Sequence, residues 1–316
     1  MIYIILLPVF FLVMLLYFKI ADRYNIIDKP NERSSHSTIT IRGGGIIFVF
    51  AALVALIMHF EYWLPVLGVF IIGVISFLDD RHTLSSKIRL FVHLVAVTLL
   101  FLFIKTFSYL PYYYCIMLYI LVIGIINAYN FMDGINGITG IYSLVIFSGL
   151  QYINLTQNAF IHPDMIWLPI IACIVFLFFN FRKKAKCFAG DVGSVSIAFW
   201  VILLLLDLII TTGIWSYILF LAVYGVDSVF TIIHRVILKQ NIFKAHRLHF
   251  YQLLANEYGI PHLIVSSLYG TIQLIIIMLV IYYRQCSFIT LSVATIFPLA
   301  VIYLWLKPRL MHTVGR

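Results

Sequence analysis

A polar stretch from Asn127 to Gly140 lies between two apolar runs that are each long enough to enter a bilayer. It holds three asparagines, one aspartate and three glycines. Polar groups at membrane depth are costly and usually mark a functional site. One carboxylate with several amides suits a hard cation or a phosphate ester, so Asn127, Asn130, Asp133 and Asn136 are candidate site residues. The alternative is a glycine- and asparagine-rich turn without chemistry.

A pair of aspartates, Asp79 and Asp80, ends an earlier apolar run. Adjacent carboxylates repel each other, so near a membrane they need a cation or a basic partner. Lys87, Arg89 or a metal ion could fill that place. The alternative is a solvated helix end.

The motif Gly190-Asp191-Val192-Gly193-Ser194 stands at the start of another apolar run. Glycines let the backbone approach a ligand closely, and a helix N-terminus favours an anionic phosphate. Asp191 is therefore a candidate site residue. The alternative is that it only caps the helix.

Further candidates follow later in the chain. His246 and His249 have a spacing that can place two imidazoles on one helical face, although loop histidines are often only solvated. Arg247 lies between them. Asp227 falls inside an apolar run, where it either belongs to a site or pairs with a basic neighbour. Asn180, at the end of a run, is a candidate substrate-binding residue.

The elements that position these residues are membrane helices. The 316-residue chain is 63% apolar and 10% charged, with a mean hydropathy of +1.07. Soluble domains are about 45–50% apolar and about 25% charged, so the composition predicts a multi-pass membrane protein. The four cysteines are scattered and indicate neither a disulfide framework nor a zinc site.

We expect one all-α domain over residues 1–316 with about eleven transmembrane helices. The predicted spans lie near 2–20, 45–60, 64–78, 87–105, 111–128, 135–152, 165–181, 193–210, 213–236, 262–283 and 287–306. The first run lacks a basic n-region and a small-residue cleavage site, so it is interpreted as a retained span.

Charge predicts the orientation. Of the 21 basic residues, 19 fall in loops on one side, which is then the cytoplasm, with the N-terminus outside and the C-terminus inside. The net charge of +9 is explained by this orientation, and no nucleic-acid partner is expected. All the polar clusters fall on the cytoplasmic side, whereas external loops such as Gln151–Asp164 look like plain polar connections. A transporter would place polar groups near the midplane, where only Asp227 qualifies. The one-sided set favours an active site at the inner membrane surface.

Together these motifs resemble the polyprenyl-phosphate N-acetylhexosamine-1-phosphate transferases of the glycosyltransferase family 4 superfamily. The family includes the phospho-N-acetylmuramoyl-pentapeptide translocase. The resemblance covers about residues 28–252, and its specificity lies in the order and spacing of the motifs. The motifs are Asp79-Asp80, Asn130-Phe-Met-Asp-Gly-Ile-Asn-Gly137, Phe188-Ala-Gly-Asp-Val-Gly-Ser194 and the late histidine loop. Arg33-Ser-Ser-His36, Arg42-Gly-Gly-Gly45 and His246-Arg-x-His-x-Tyr-Gln252 are most similar to the branch that initiates bacterial O-antigen synthesis.

The resemblance implies a reaction in the bacterial inner membrane. A UDP-N-acetylhexosamine would donate its sugar-1-phosphate to undecaprenyl phosphate, giving a lipid diphosphosugar and UMP with Mg²⁺, or with Mn²⁺ in its place. A homodimer is compatible with the resemblance. The sugar is left open between GlcNAc and deoxy relatives such as FucNAc or QuiNAc.

The resemblance also implies roles for individual residues. Asp191 matches the metal-binding aspartate. Asp79 or Asp80 would act on the lipid phosphate, and Asn130 and Asp133 match the nucleotide-side loop. The late histidines, His249 and less closely His246, match a motif thought to bind the diphosphate. We predict catalytic roles for Asp79, Asp80, Asp133 and His249. Substrate binding is assigned to Asn127, Asn130, Asn136, Asn180, Lys87, His246, Arg247 and Asp227.

The chain departs from the family pattern at three positions. Asn136 stands where many members carry a second aspartate, and Arg247 and Phe250 replace histidines. We expect Asn136 to hydrogen-bond the sugar or nucleotide and Asp to be tolerated there. The alternative is a spacer in a glycine-rich turn. The competing functions are a membrane transporter of a lipid-linked or phosphorylated substrate and an inactive scaffold, against which the intact aspartates argue.

Overall fold

A computed structural model describes residues 2–28, 39–82, 84–241 and 247–314, with side chains to residue 311. The predicted contributions of Arg33–His36 and of His246 lie outside these residues. Helices dominate the described chain, which confirms the all-α class. They are α1 (Ile2–Arg23), α2 (Ile46–Met58), α3 (Trp63–Arg81), α4 (Ser86–Phe103), α5 (Thr106–Tyr109), α6 (Tyr112–Met132), α7 (Ile138–Thr156), α8 (Asp164–Asn180), α9 (Gly190–Thr212), α10 (Ala222–Ile237), α11 (Phe250–Gln252), α12 (His262–Tyr282) and α13 (Phe288–Val314).

Each of the eleven predicted apolar runs contains a helix. Within the described residues, nine helical segments are long and apolar enough to cross a membrane. The 3-10 segments Phe60–Tyr62 and Trp215–Leu221 extend α3 and α10 and are counted with them. The helices α2 and α8, with 13 and 17 residues, are shorter. At 1.5 Å per residue they reach about 20 and about 25 Å, less than the roughly 30 Å of a hydrocarbon core. The count of eleven full spans stays a prediction.

The helix α9 forms the centre of the bundle. Every residue from 192 to 206 is buried, in keeping with a helix that is apolar on all faces. It packs against α2, α3, α6 and α7. In contrast, α1 and α13 expose most of their side chains at the periphery. The central helix therefore fixes Asp191, in its first turn, at one end of the bundle.

A short piece of extended chain packs against the start of α9. Strands β1 (Ile27–Asp28) and β2 (Thr40–Ile41) pair antiparallel, and Ile41 also bridges to Cys187 in parallel. The chain continues along this path, because Gly44 N–H donates to Phe188 O at 2.8 Å and Gly45 N–H to Ala189 O at 3.0 Å. A Cβ on Gly45 would lie 2.1 Å from the Gly193 Cα, so glycine is required for this approach. The contact carries Arg42 to the start of α9.

Candidate active site

Three carboxylates from three helix ends lie near Arg42, which forms ion pairs with two of them and interacts electrostatically with the third. Asp80 lies in the last turn of α3, Asp133 directly follows α6, and Asp191 lies in the first turn of α9. Arg42 Nη2 lies 2.6 Å from Asp80 Oδ1 and 3.7 Å from Asp191 Oδ1. The Asp80 Oδ2 accepts the Val192 N–H at 3.4 Å, which ties α3 to the start of α9. In the sequence Arg42 stands out only as part of the motif Arg42-Gly-Gly-Gly45, which gives no sign of its place between the aspartates.

The two adjacent aspartates point to different partners. Asp79 Oδ2 accepts from Arg89 Nη1 at 3.0 Å, and Asp79 Oδ1 accepts the Leu84 N–H at 2.7 Å. The ion pair with Arg89 confirms one of the expected partners. Lys87 is exposed, and its substrate-binding role stays a prediction. Of these two aspartates only Asp80 faces Asp191, so Asp80 is the better candidate to act together with Asp191.

Asp133 is half-buried beside the same cluster. Burial raises the pKa of its carboxyl to about 7, and the Asp191 charge adds to the rise. The Thr139 side chain and the Arg42 guanidinium oppose that increase in pKa. A bound cation would favour the ionised form in the same way as Arg42 does.

Asn130 connects the end of α6 with the start of α9. Its Nδ2 donates to Ser194 Oγ at 3.1 Å, and the Ser194 hydroxyl donates to Gly190 O at 3.2 Å. The amide therefore lies next to the motif that carries Asp191. Asn127 is exposed one turn earlier on α6, where its amide donates to Ile123 O at 2.8 Å. Its contact with substrate stays a prediction.

Two buried asparagines hold the loops of this site. Asn180 Oδ1 accepts the Gly137 N–H at 2.6 Å, and its Nδ2 donates to Cys187 O at 2.8 Å. Asn136 Nδ2 donates to Arg182 O at 2.8 Å. Both amides thus join the Asn127–Gly140 stretch to the chain that leads into α9. This geometry favours positioning roles over the direct substrate contacts predicted for them.

His249 and Asp227 form a buried pair. His249 Nδ1 lies 3.3 Å from Asp227 Oδ1. The same carboxylate accepts the Phe250 N–H at 2.8 Å, the Tyr251 N–H at 3.2 Å and the Tyr269 hydroxyl at 2.7 Å. Asp227 therefore caps α11 and orients the His249 ring, which favours a positioning role over its predicted contact with substrate. The half-buried Arg247 precedes this pair, and its predicted role is open.

Tyr251 connects the loop that carries His249 with the loop that carries Asp133. Its hydroxyl donates to Phe131 O at 2.9 Å, and the His249 ring lies 6.2 Å from the Phe131 ring, centroid to centroid. A Cβ on Gly134 would fall 2.1 Å from that hydroxyl, so the residue after Asp133 must be small. The sequence placed Tyr251 only within the histidine motif and gave no signal of this contact.

A second set of polar groups, which the sequence did not predict, lies next to Asp227. Thr231 Oγ1 donates to Asp227 Oδ1 at 3.3 Å and lies 2.8 Å from the Tyr303 hydroxyl. Lys307, which is buried, donates to Thr231 Oγ1 at 3.1 Å and to Tyr303. In the sequence Lys307 is only one of several tail charges, and the fold makes it part of the support for His249.

The donor set of the aspartate cluster fits a hard divalent cation. Its side-chain ligands would be the carboxylate oxygens of Asp80, Asp133 and Asp191, and oxygen is the donor that Mg²⁺ prefers. The Asp191 side chain is 29% exposed, against 2% for Asp80, so Asp191 has the more open carboxylate. Arg42 adds a positive charge beside the same oxygens, where an anionic diphosphate would also be stabilised.

Comparison with known proteins agrees with this grouping. A family model described as glycosyl transferase family 4 matches residues 62–209, which include the three aspartates. A probable undecaprenyl-phosphate N-acetylglucosaminyl 1-phosphate transferase of Bacillus subtilis is 29% identical over 88% of this chain and 80% of its own length. Undecaprenyl-phosphate alpha-N-acetylglucosaminyl 1-phosphate transferases of Yersinia pestis and Escherichia coli K12 are 32% and 31% identical. These two matches cover 60% of this chain and 57% of each relative.

Proposed function

We propose that this chain, which a glycosyl transferase family 4 model matches over residues 62–209, transfers an N-acetylhexosamine-1-phosphate from a UDP-sugar to undecaprenyl phosphate. The products are undecaprenyl-diphosphate-sugar and UMP. The observation that carries the proposal is the meeting of Asp80, Asp133 and Asp191 with Arg42 at one end of the bundle. The printed names of the relatives support the lipid acceptor and the sugar-1-phosphate donor.

The proposed reaction exchanges one phosphoanhydride bond for another. An oxygen of the lipid phosphate bonds to the phosphorus that carries the sugar, and the bond from that phosphorus to the UMP oxygen breaks. Such a step needs mainly positioning and neutralisation of charge. In the proposed reaction Arg42 attracts the diphosphate, and Asp80 orients the incoming lipid phosphate or accepts its proton. His249, which is held by Asp227, is the residue that we assign to binding the diphosphate.

We propose Mg²⁺, with Mn²⁺ as a substitute, as the cofactor held by Asp191 together with Asp80 and Asp133. When bound, the ion neutralises the diphosphate and makes UMP a better leaving group. The carboxylates would otherwise repel the donor, so their charge is useful only with a cation between them and the phosphates.

The proposed setting is the inner membrane of a bacterium, with the aspartate end of the bundle facing the cytoplasm, where UDP-sugars occur. The product would then start O-antigen or another cell-envelope polysaccharide. The competing transporter interpretation depended on Asp227. That carboxylate is occupied by His249, by Tyr269 and by the start of α11, so this observation does not favour a transport path.

The test is an in vitro transfer assay with the purified protein, undecaprenyl phosphate and a panel of UDP-sugars. We expect release of UMP and a lipid-linked product with at least one UDP-N-acetylhexosamine, and no UMP when undecaprenyl phosphate is omitted. Absence of lipid-linked product with every donor, from protein that is folded and supplied with Mg²⁺, would contradict the proposal.

A further inference from the structure

Three potential metal ligands meet at the other end of the bundle. His59 follows α2, His162 precedes α8, and Asp164 is the first residue of α8. One ring nitrogen from each histidine and one carboxylate oxygen of Asp164 all lie within 4.8 Å of one another. The sequence gave no sign of this cluster, because the loop that ends at Asp164 looked like a plain polar connection.

The cluster is far from the aspartate site. The start of α2 packs on Gly193, next to Asp191, whereas His59 follows its other end. Likewise, Asn180 at the end of α8 binds Gly137, whereas Asp164 begins that helix. With 13 residues at 1.5 Å each, α2 alone separates the two places by about 20 Å.

Asp164 holds both histidines close. His59 Nε2 lies 2.7 Å and His162 Nδ1 lies 3.6 Å from Asp164 Oδ2. The two imidazole rings lie 3.8 Å apart between centroids, a separation at which two imidazolium charges would repel each other. A metal ion held between the rings would satisfy both of them, because imidazole binds a metal in its neutral form.

Surrounding groups fix the orientation of these ligands. Glu61 Oε1 lies 3.5 Å from His59 Nδ1, so a proton on Nδ1 would face Glu61 and leave Nε2 to face Asp164. The Tyr3 hydroxyl donates to Asp164 Oδ1, the oxygen that faces away from the histidines. The Tyr62 hydroxyl accepts the backbone N–H of His162 at 3.1 Å and so holds the loop that carries this ligand. Partners of this kind, a carboxylate behind a histidine and a hydroxyl behind a carboxylate, are typical of metal-ligating residues.

We propose that His59, His162 and Asp164 bind a transition-metal dication of the Zn²⁺ class. Two imidazoles and one carboxylate are nitrogen and oxygen ligands that suit Zn²⁺, with a water completing four-coordination. Bonds of about 2.0–2.2 Å place the ligand atoms of a tetrahedral site about 3.4 Å apart. The present contacts of 2.7 and 3.6 Å bracket that separation.

The bound ion would join α1, α2 and α8. His59 and Asp164 belong to the ends of α2 and α8, and Tyr3 brings in the first turn of α1. A ligand that binds only the folded state stabilises it in proportion to its concentration over its Kd. The metal would therefore have a structural role, at the end of the bundle opposite the aspartate cluster.

The test uses Zn²⁺ alone as the probe. Full-length protein in detergent is stripped with a chelator and titrated with Zn²⁺ in excess Mg²⁺, which competes for the aspartate cluster. We expect about one zinc per chain and a higher Tm on addition of zinc. Substitution of Co²⁺ for Zn²⁺ should give the visible absorption bands of a four-coordinate nitrogen and oxygen site.

Three variants separate this site from other places where zinc could bind. His162→Ala removes an exposed ligand and should weaken Zn²⁺ binding by about 100-fold or more, a loss larger than that for supporting residues. His82→Ala removes an exposed histidine near the aspartate end and should bind as the wild type does. Asp191→Asn should also retain the zinc.

Unchanged affinity in His162→Ala, or loss of the zinc in Asp191→Asn instead, would overturn the proposal. Failure of the wild-type protein to bind zinc and to give Co²⁺ bands would also overturn the proposal, and this result requires no variant. None of these outcomes bears on the proposed transferase activity.

Discussion

Asp191 has the more open carboxylate of the two that Arg42 touches, and it begins the central helix. In Asp191→Asn, we expect turnover to fall by about 100-fold or more, because several kcal/mol of charge stabilisation by the metal would be lost. The measurement is UMP release in the transfer assay over a range of Mg²⁺ concentrations. Asp22→Asn makes the same change at an exposed position near the end of α1 and should have wild-type activity. Substantial activity in folded Asp191→Asn, with unchanged Mg²⁺ dependence, would remove Asp191 from the metal site.

Asp133 gives the protein a pH-dependent stability. The folded state raises its pKa from 3.8 to about 7, so the folded chain holds a proton that the unfolded chain has already released. Without divalent cations, stability should therefore fall as the pH rises from about 4 to about 7 and change little from this group above that. In Asp133→Asn this part of the fall should disappear. The measurement is the Tm of both proteins in detergent across that pH range, and an equal slope in the variant would contradict the assignment.

The residue types in the sequence predicted the location of the candidate site more accurately than they predicted the role of each residue in it. Three of the five aspartates predicted for the site, Asp80, Asp133 and Asp191, come together, since charged groups at helix ends have few other places to go in such an apolar chain. The role of Asn136 could not be read in the same way. Its amide donates to the Arg182 carbonyl, a partner 46 positions away that only the tertiary fold supplies. A carboxylate there could not donate this bond, so the structure argues against the expected tolerance of Asp.

The close contact of the Gly-rich segment with α9 should be sensitive to a single methyl group. In Gly45→Ala the new Cβ would meet the Gly193 Cα at 2.1 Å, and backbone atoms cannot move aside as side chains do. We expect a loss of about 1–3 kcal/mol of stability and a strong loss of turnover, because Arg42 would shift from the aspartates. Gly124→Ala is the control, since its Cβ meets nothing within 4 Å. Gly124→Ala should match or slightly exceed the wild-type Tm, and equal behaviour of the two variants would contradict the packing argument.

The link between α11 and the end of α6 depends on one hydroxyl group. Tyr251→Phe keeps the buried ring and removes the bond to Phe131 O, which should cost about 1 kcal/mol of stability. We expect turnover to fall as well, because His249 would be held less firmly beside the aspartate loop. Tyr258→Phe removes an exposed hydroxyl and serves as the control. Wild-type turnover in Tyr251→Phe would show that this contact does not position His249.

At the level of elements, hydropathy predicted the helices because long apolar runs have one stable backbone form in a bilayer. It could not predict the strands, which have two residues each and exist only where β2 meets the loop before α9. The start of α7 was also set too early, at 135. The helix begins at Ile138 because Gly137 has a φ of +86°, which a helix cannot contain.

Two clusters of polar side chains lie at opposite ends of the part of the chain that the structure describes. The aspartates, Arg42 and the His249 loop lie at one end, and His59, His162 and Asp164 lie at the other. The basic asymmetry of the sequence predicts that the first end faces the cytoplasm. The sequence missed the second cluster because its members come from two separate loops that contain no recognisable ligand motif.

That orientation can be tested by cysteine labelling in intact cells with a membrane-impermeant reagent. Of the four native cysteines only Cys286 is exposed, so Cys286→Ser gives a background without accessible thiols. In it, Asn158→Cys should be labelled from outside and Lys184→Cys should not, because the two exposed positions lie in loops predicted on opposite sides. Lysis should make the second position reactive, which controls for burial of the thiol. The wild-type Cys286, in the loop between α12 and α13, should label from outside as Asn158→Cys does. The reverse pattern would place the aspartate cluster outside the cell, away from cytoplasmic UDP-sugars, and would contradict both the topology and the proposed function.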